Sequence, residues 1–263
     1  MIKKIPFLEP SFNGARFDDH TMPVEVLSEL SSYKKIIVEV AKAVFRHQNP
    51  GRQRVPRGFE RGLELSVSTI SEGSAVPLLE RSVAPGEQLA VGGDCFDVAR
   101  QIVADLISSE KVPTEVPVDV LKLFNGFGNT LQAGEWIGLK SPASEEVPRY
   151  DRAKRKALVL LASTTYEDDC DVTGEVVQFD TDKMTFTLLV EGARVMSAML
   201  DTQLPVVRDV AGRGGVAIRV VGTGLYDGAD KLSRIMEITD LSLANETEFD
   251  IQERLARLAN LSE

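Results

Sequence analysis

Between Pro23 and about His47 the apolar residues Leu27, Leu30, Ile37, Val40, Ala41 and Val44 recur at helical spacing. Pro23 marks the first turn and Asn49-Pro50 the stop, so this segment predicts a helix. The next pattern has period two. In "GLELSVSTI", Leu63, Leu65, Val67 and Thr69 alternate with Glu64, Ser66 and Ser68, which predicts a strand. "SEGS" (71–74) has turn chemistry and "AVPLLE" returns as a second strand. Pro77 cannot donate to a ladder, which predicts an edge position for that strand. Residues 1–22, interrupted by Pro6, Pro10 and Gly14, read as an irregular or extended lead-in.

After Gly92-Gly93, Asp94 is positioned as an N-cap. Ala99, Ile102, Val103, Leu106 and Ile107 form an apolar helical stripe to about Lys111. A further helix follows the prolines at 113–117, with Val120, Phe124, Phe127 and Leu131 in register and Gly126 and Gly128 fraying its end. "EWIGLK" around Trp136 reads as a short strand, "SPASEEVPR" (141–149) as a linker and "YDRAKRKALVLLA" (150–162) as a connecting helix. The pattern then turns to strands: "DVTGEVVQFD", "MTFTLLV", "ARVMSAML", "GVAIRVVGTG" and "KLSRIMEITDLSL". A short helix capped by Asp201 or Thr202 and stopped by Gly212 separates the third from the fourth. Residues 249–261 read as a closing amphipathic helix, with Ile251, Leu255 and Leu258 on one face and Glu253 and Arg257 paired on its surface.

The predicted fold class is therefore α+β. A helix and β-hairpin domain covers 1–145, a linker helix 146–164, a small five-stranded β-barrel 165–245 and a terminal helix 246–263. The order β-β-β-α-β-β matches an OB-like barrel, with an SH3-like barrel or an open five-stranded sheet as alternatives.

Composition adds charge asymmetry to this picture. From Leu160 onward there are 9 Lys and Arg against 19 Asp and Glu, whereas the preceding residues carry 21 of each. The entire net charge of −10 thus belongs to the C-terminal part, which argues against a nucleic-acid ligand there. Two distant cysteines, Cys95 and Cys170, fit a reduced cytoplasm of bacterial type and no disulfide framework. No apolar run spans a bilayer, and "MIKKIPFLEPSF" lacks the apolar core of a secretory leader.

Three charged clusters are candidate binding surfaces. The first is an arginine arm, Arg46, Arg52, Arg54, Arg57 and Arg61, opposed locally by Glu60 alone. Its guanidinium groups suit bidentate contact with phosphate or carboxylate. The second is a basic patch on the linker, Arg149, Arg152, Lys154, Arg155 and Lys156. The third is an acidic rim, Asp168, Asp169, Asp171, Asp180 and Asp182, which reads as solvated surface because it lacks the spacing of a calcium loop. Asp18-Asp19-His20 is the sole acid–histidine cluster; it offers an orienter and a base without a third partner at recognisable spacing. His47, at a helix C-terminus, reads as a dipole partner. "GTGLYDG" (222–228) lies between strands with no helix following, so it reads as a hairpin loop and not as a phosphate loop. No nucleophile elbow, metalloprotease or Walker pattern occurs, and no cofactor or metal site is expected.

The segments "FNGARFDDHTMPVEVLSELSSYKKIIVEVAK", "RVPRGFERGLELSVSTISEGSAVPLLE", "RYDRAKRKALVL" and "TGEVVQFDTDKMTFTL" resemble a group of two-domain bacterial proteins to which no catalytic motif attaches. The resemblance implies association with toxin–antitoxin or phage-defence genes, and so a partner more than a reaction. The leading expectation is a non-enzymatic protein-binding factor, an adaptor or antitoxin-like defence accessory. The alternatives are a nucleic-acid-binding protein using the arginine arm, and an enzyme centred on Asp18, Asp19 and His20.

Overall fold

A computed structural model describes residues 3–18, 21–52, 54–71, 76–83, 94–109, 111–114, 116–142, 144–211 and 216–244. The chain divides into two compact units, Met1–Ser163 and Thr164–Glu263. The closing helix expected at 249–261, the turn at 72–74 and the glycines at 92, 93 and 212 lie outside the described residues.

The first unit carries an antiparallel sheet in the order β2-β3-β1-β4-β5. Its strands are β1 (Lys3–Asn13), β2 (Leu65–Ser71), β3 (Val76–Val83), β4 (Trp136–Lys140) and β5 (Arg149–Asp151). The lead-in, expected to be irregular or extended, is extended over Lys3–Asn13 and forms the central strand. Its prolines are tolerated because each half of β1 has a single partner. Residues 3–8 pair only with β3 and residues 9–13 only with β4. Pro6 and Pro10 therefore each leave one side free of a ladder, where a missing N–H costs nothing. A bulge between Pro6 and Leu8 lies within the stretch paired with β3 and leaves Phe7 and Leu8 consecutively buried.

Pro77 does not make β3 an edge, as expected from sequence. β3 lies between β2 and β1, but its pairing with β1 covers only Leu79–Val83, so Pro77 faces β2 alone. At this end of the sheet the edge strand is β2.

Two helices pack together beside this sheet: α1 (Leu27–Gln48), led in by a 3-10 turn at Val24–Val26, and α2 (Cys95–Ser109). Tyr33, Ile36, Ile37, Val40, Ala41 and Val44 of α1 are buried, as are Ala99, Val103, Leu106 and Ile107 of α2. Leu27, expected in the stripe, is 46% exposed, whereas Glu29 is fully buried. The segment after Pro117 is a 3-10 helix, Val118–Gly126. It is fixed by an aromatic cluster in which Phe127 stacks on Tyr150 at 4.5 Å and the Tyr150 hydroxyl donates to the Phe127 carbonyl at 2.8 Å.

Residues 141–149 do not separate domains. They join β4 to β5, which pair through Trp136–Gly138, and helix α3 (Arg152–Leu160) follows directly. Asp151 caps α3 by accepting the Lys154 backbone N–H at 2.9 Å.

The second unit contains β6 (Thr165–Asp180), β7 (Thr185–Val190), β8 (Ala193–Ala198), α4 (Leu204–Val210), β9 (Ala217–Asp227) and β10 (Leu232–Leu243). The strands pair in a closed cycle, β10-β8-β7-β6-β9. β6 is long because it serves two neighbours, β9 along Thr165–Glu175 and β7 along Glu175–Asp180. β8 and β10 pair in parallel at Met196–Arg234 and Ser197–Ile235. Inward residues Cys170, Val176, Phe186, Leu188, Val195, Ile218, Val220 and Ile235 form one core, to which α4 adds Val207 and Val210. "GTGLYDG" is mostly strand: Gly222 and Gly224 sit in β9. A Cβ on Gly222 would come within 2.0 Å of the Glu237 carbonyl oxygen. The glycine there admits the close crossing of β10, and no phosphate cradle is involved. No described helix is long and apolar enough to cross a membrane.

Candidate functional site

The arginine arm occupies the end of α1, the connection at 49–58 and a 3-10 turn at Phe59–Leu63. That turn is pinned by aromatic packing: Phe59 lies 5.6 Å from Phe45 and 5.0 Å from Phe96. Gly58, in a left-handed conformation, starts it. With the backbone anchored on this apolar side, Arg46, Arg52, Arg54, Arg57 and Arg61 are all exposed, and none has an ion pair or side-chain hydrogen bond among the described residues. Glu60, their only local counter-charge, is taken by Lys42 at 2.7 Å, and that contact holds the Glu60 carboxyl below the usual range.

The linker patch is different. Arg155 is 3% exposed and faces inward with Leu158 and Val159, while Arg152, Lys154 and Lys156 are half-buried and engaged. Arg149 lies over the Trp136 ring at 4.9 Å and 3.7 Å from Asp151. The patch lies on β5 and α3, with Arg149 exposed and Arg155 buried.

The acidic rim lies at the surface of the second unit, with Asp169, Asp171 and Asp182 exposed. Asp171 receives a bidentate contact from Arg219 at 2.7 and 2.6 Å, which lowers its pKa. Asp180 accepts the backbone N–H groups of Asp182 and Lys183, each at 3.0 Å, and its pKa is lowered by them. Asp168 accepts the Asp169 N–H at 3.0 Å. Asp182 is exposed. Among the described residues no three His, Cys, Asp or Glu side chains converge as a metal set. Of Asp18-Asp19-His20, Asp18 is exposed at the end of a 3-10 turn, while Asp19 and His20 lie outside the described residues.

One charged cluster was not anticipated. β3 alternates with Pro77, Leu79, Arg81 and Val83 inward, so Arg81 points into the first unit and is 1% exposed. Its Nε donates to the Gly62 carbonyl at 2.6 Å, its Nη2 to Asp94, and its guanidinium lies 4.9 Å from the Phe96 ring centre. Asp94 caps α2 through the N–H groups of Phe96 and Asp97 at 2.9 and 3.2 Å. Burial pushes the Asp94 pKa up, but the bond and charge of Arg81 outweigh this and hold it below the usual range. Behind it, Arg100 donates to the carbonyl of the bulged Phe7 at 2.8 Å and approaches Asp97 at 3.3 Å. The sequence signal was present: the alternation of Pro77 and Leu79, carried two positions further, reaches Arg81. Neighbouring Cys95 is held above the usual thiol range by burial and by Asp94.

No family model, no characterised protein and no solved structure matches the chain.

Proposed function

We propose that this protein is a non-enzymatic binding factor, an adaptor or antitoxin-like accessory, that uses the arginine arm to engage an acidic patch on a protein partner. The carrying observation is that all five arginines are exposed and, among the described residues, unpaired on a segment whose aromatic side is anchored. Most other charged clusters are neutralised or packed within the chain. Arginine is enriched at the centres of protein interfaces, where its planar fork engages carboxylates bidentately. Phe59 is the one aromatic within the arm and packs against Phe45 and Phe96, whereas a single-stranded nucleic acid is held by several stacking aromatics interleaved with basic residues.

The second unit is best read as an OB-type module. In sequence order its strands pair 1-2-3-5-4-1, with the third and fifth parallel and a helix between the third and fourth, and this order supports the reading. Its acidic balance makes it a surface for a basic partner segment.

The test is cross-linked capture from the native cell after nuclease treatment, comparing wild type with Arg52→Glu/Arg54→Glu/Arg57→Glu. A defined protein partner should be captured by wild type and lost with the triple reversal. Equal capture by both refutes the reading. Recovery of nucleic acid in place of protein, with binding that falls steeply with salt, would replace the partner by a phosphate backbone.

A further inference from the structure

Arg81 has three guanidinium nitrogens and only two are occupied. Nε and Nη2 are bonded to Gly62 and Asp94, but Nη1 has no acceptor among the described residues. The Asp97 carboxylate approaches it only to 3.9 Å, beyond hydrogen-bond reach. A buried cationic donor without an acceptor is rare and calls for a physical explanation.

Arg81 lines a cleft of about 350 Å³ together with Pro56, Arg57, Phe59, Asp94 and Phe96. Its apolar walls are Pro56, Phe59 and Phe96. Its charged groups are the unpaired guanidinium of Arg57, that of Arg81, and the Asp94 carboxylate already bonded to Arg81 Nη2. The lining thus carries one positive charge in excess. Helix α2, fifteen residues long, begins at the cleft and adds the positive end of its dipole. Asp94 already takes two of its first N–H groups.

We propose that this cleft binds a small molecule that presents one oxyanion, carboxylate or phosphate, on a flat apolar body. The oxyanion accepts from Arg81 Nη1 and from Arg57, and the body lies against Phe59 and Phe96. The volume is at the lower end for small-molecule sites and fits one ring with its anionic group. This inference shares Arg57 with the partner reading but differs from it in resting on the buried Nη1 of Arg81, and Arg54 tells the two apart.

The test is calorimetric titration of the full chain with phenyl phosphate and, separately, with benzoate, alongside ¹⁵N spectra of the arginine side chains. At least one probe should saturate at one per chain and move the Arg81 Nε signal. Arg57→Ala should weaken binding about tenfold, whereas Arg54→Ala, outside the cleft, should leave it unchanged. Which probe binds identifies the oxyanion. Failure of both to saturate below about 10 mM, or equal weakening by Arg54→Ala and Arg57→Ala, overturns the proposal. Arg81 itself is left intact, because its replacement would disturb folding.

Discussion

Glu29 offers the most direct test of how the first unit is held together. It is fully buried on α1 and accepts three bonds from one short segment. These come from the Gly128 N–H, the Thr130 N–H at 2.9 Å and the Thr130 hydroxyl at 2.7 Å. The segment needs this clamp. Gly128 has φ of +83°, and a Cβ there would come within 2.6 Å of the Tyr150 ring. Glu29→Ala leaves all three donors without their acceptor. Gly128 is buried and Thr130 half-buried, so the losses run from about 2 kcal/mol for the first to about 1 kcal/mol for each of the others. Relief of the buried carboxylate's desolvation offsets part of this, which leaves about 2–4 kcal/mol. Urea unfolding followed by Trp136, which sits in the same unit, should show a midpoint lowered by about 1–2 M at unchanged slope. Glu29→Gln keeps one oxygen but turns an amide donor toward N–H groups, so it should fall between wild type and Ala. A midpoint shift below about 0.5 M for Glu29→Ala would refute the clamp. So would costs for Thr130→Val and Glu29→Ala that simply add, since residues acting through one contact must couple.

Other outcomes follow from the same geometry. The Arg16 guanidinium, bonded to both Glu135 oxygens at 2.7 Å, holds that carboxyl below its usual range, and Arg81 does the same for Asp94. A depressed folded pKa contributes stability that is full above the unfolded carboxylate range and lost as pH falls through the folded value. Unfolding midpoints should therefore drop on acidification, and less steeply in Glu135→Gln. Gly222→Ala should prise β10 from β9, costing about 3 kcal/mol or more and abolishing hydrogen-exchange protection along the pair; retained protection would contradict the close crossing. Cys170, 2% exposed with its thiol pushed up to about 11 by burial and by Asp169 and Asp171, should alkylate more slowly than Cys95 in the native protein and equally fast in denaturant, as read by mass spectrometry.

Much of the local architecture was legible from the chain. α1 and α2 are specified by apolar stripes at helical spacing, and Asp94 is the cap that its position before the stripe indicated. The five strands of the second unit follow the alternation of Phe186, Leu188, Val195, Ile218, Val220 and Ile235, since one face of each must meet the core. The arginine arm was legible as a charge cluster.

What the chain could not disclose depends on partners distant in sequence. The central place of β1 was not legible because proline reads as a breaker, and only the division of its pairing between β3 and β4 makes Pro6 and Pro10 harmless. The linker patch looked like free basic surface because helical spacing does not say that Arg155 faces inward. Glu29 reads as a solvated residue until a loop about a hundred positions later presents its N–H groups. Arg81 reads as the polar end of a strand until Gly62, Asp94 and Phe96 enclose it. Periodicity records which side of an element avoids water, and that is a local property. Whether a charge is buried, satisfied or left with an open donor is decided only when elements far apart in the chain are folded against it.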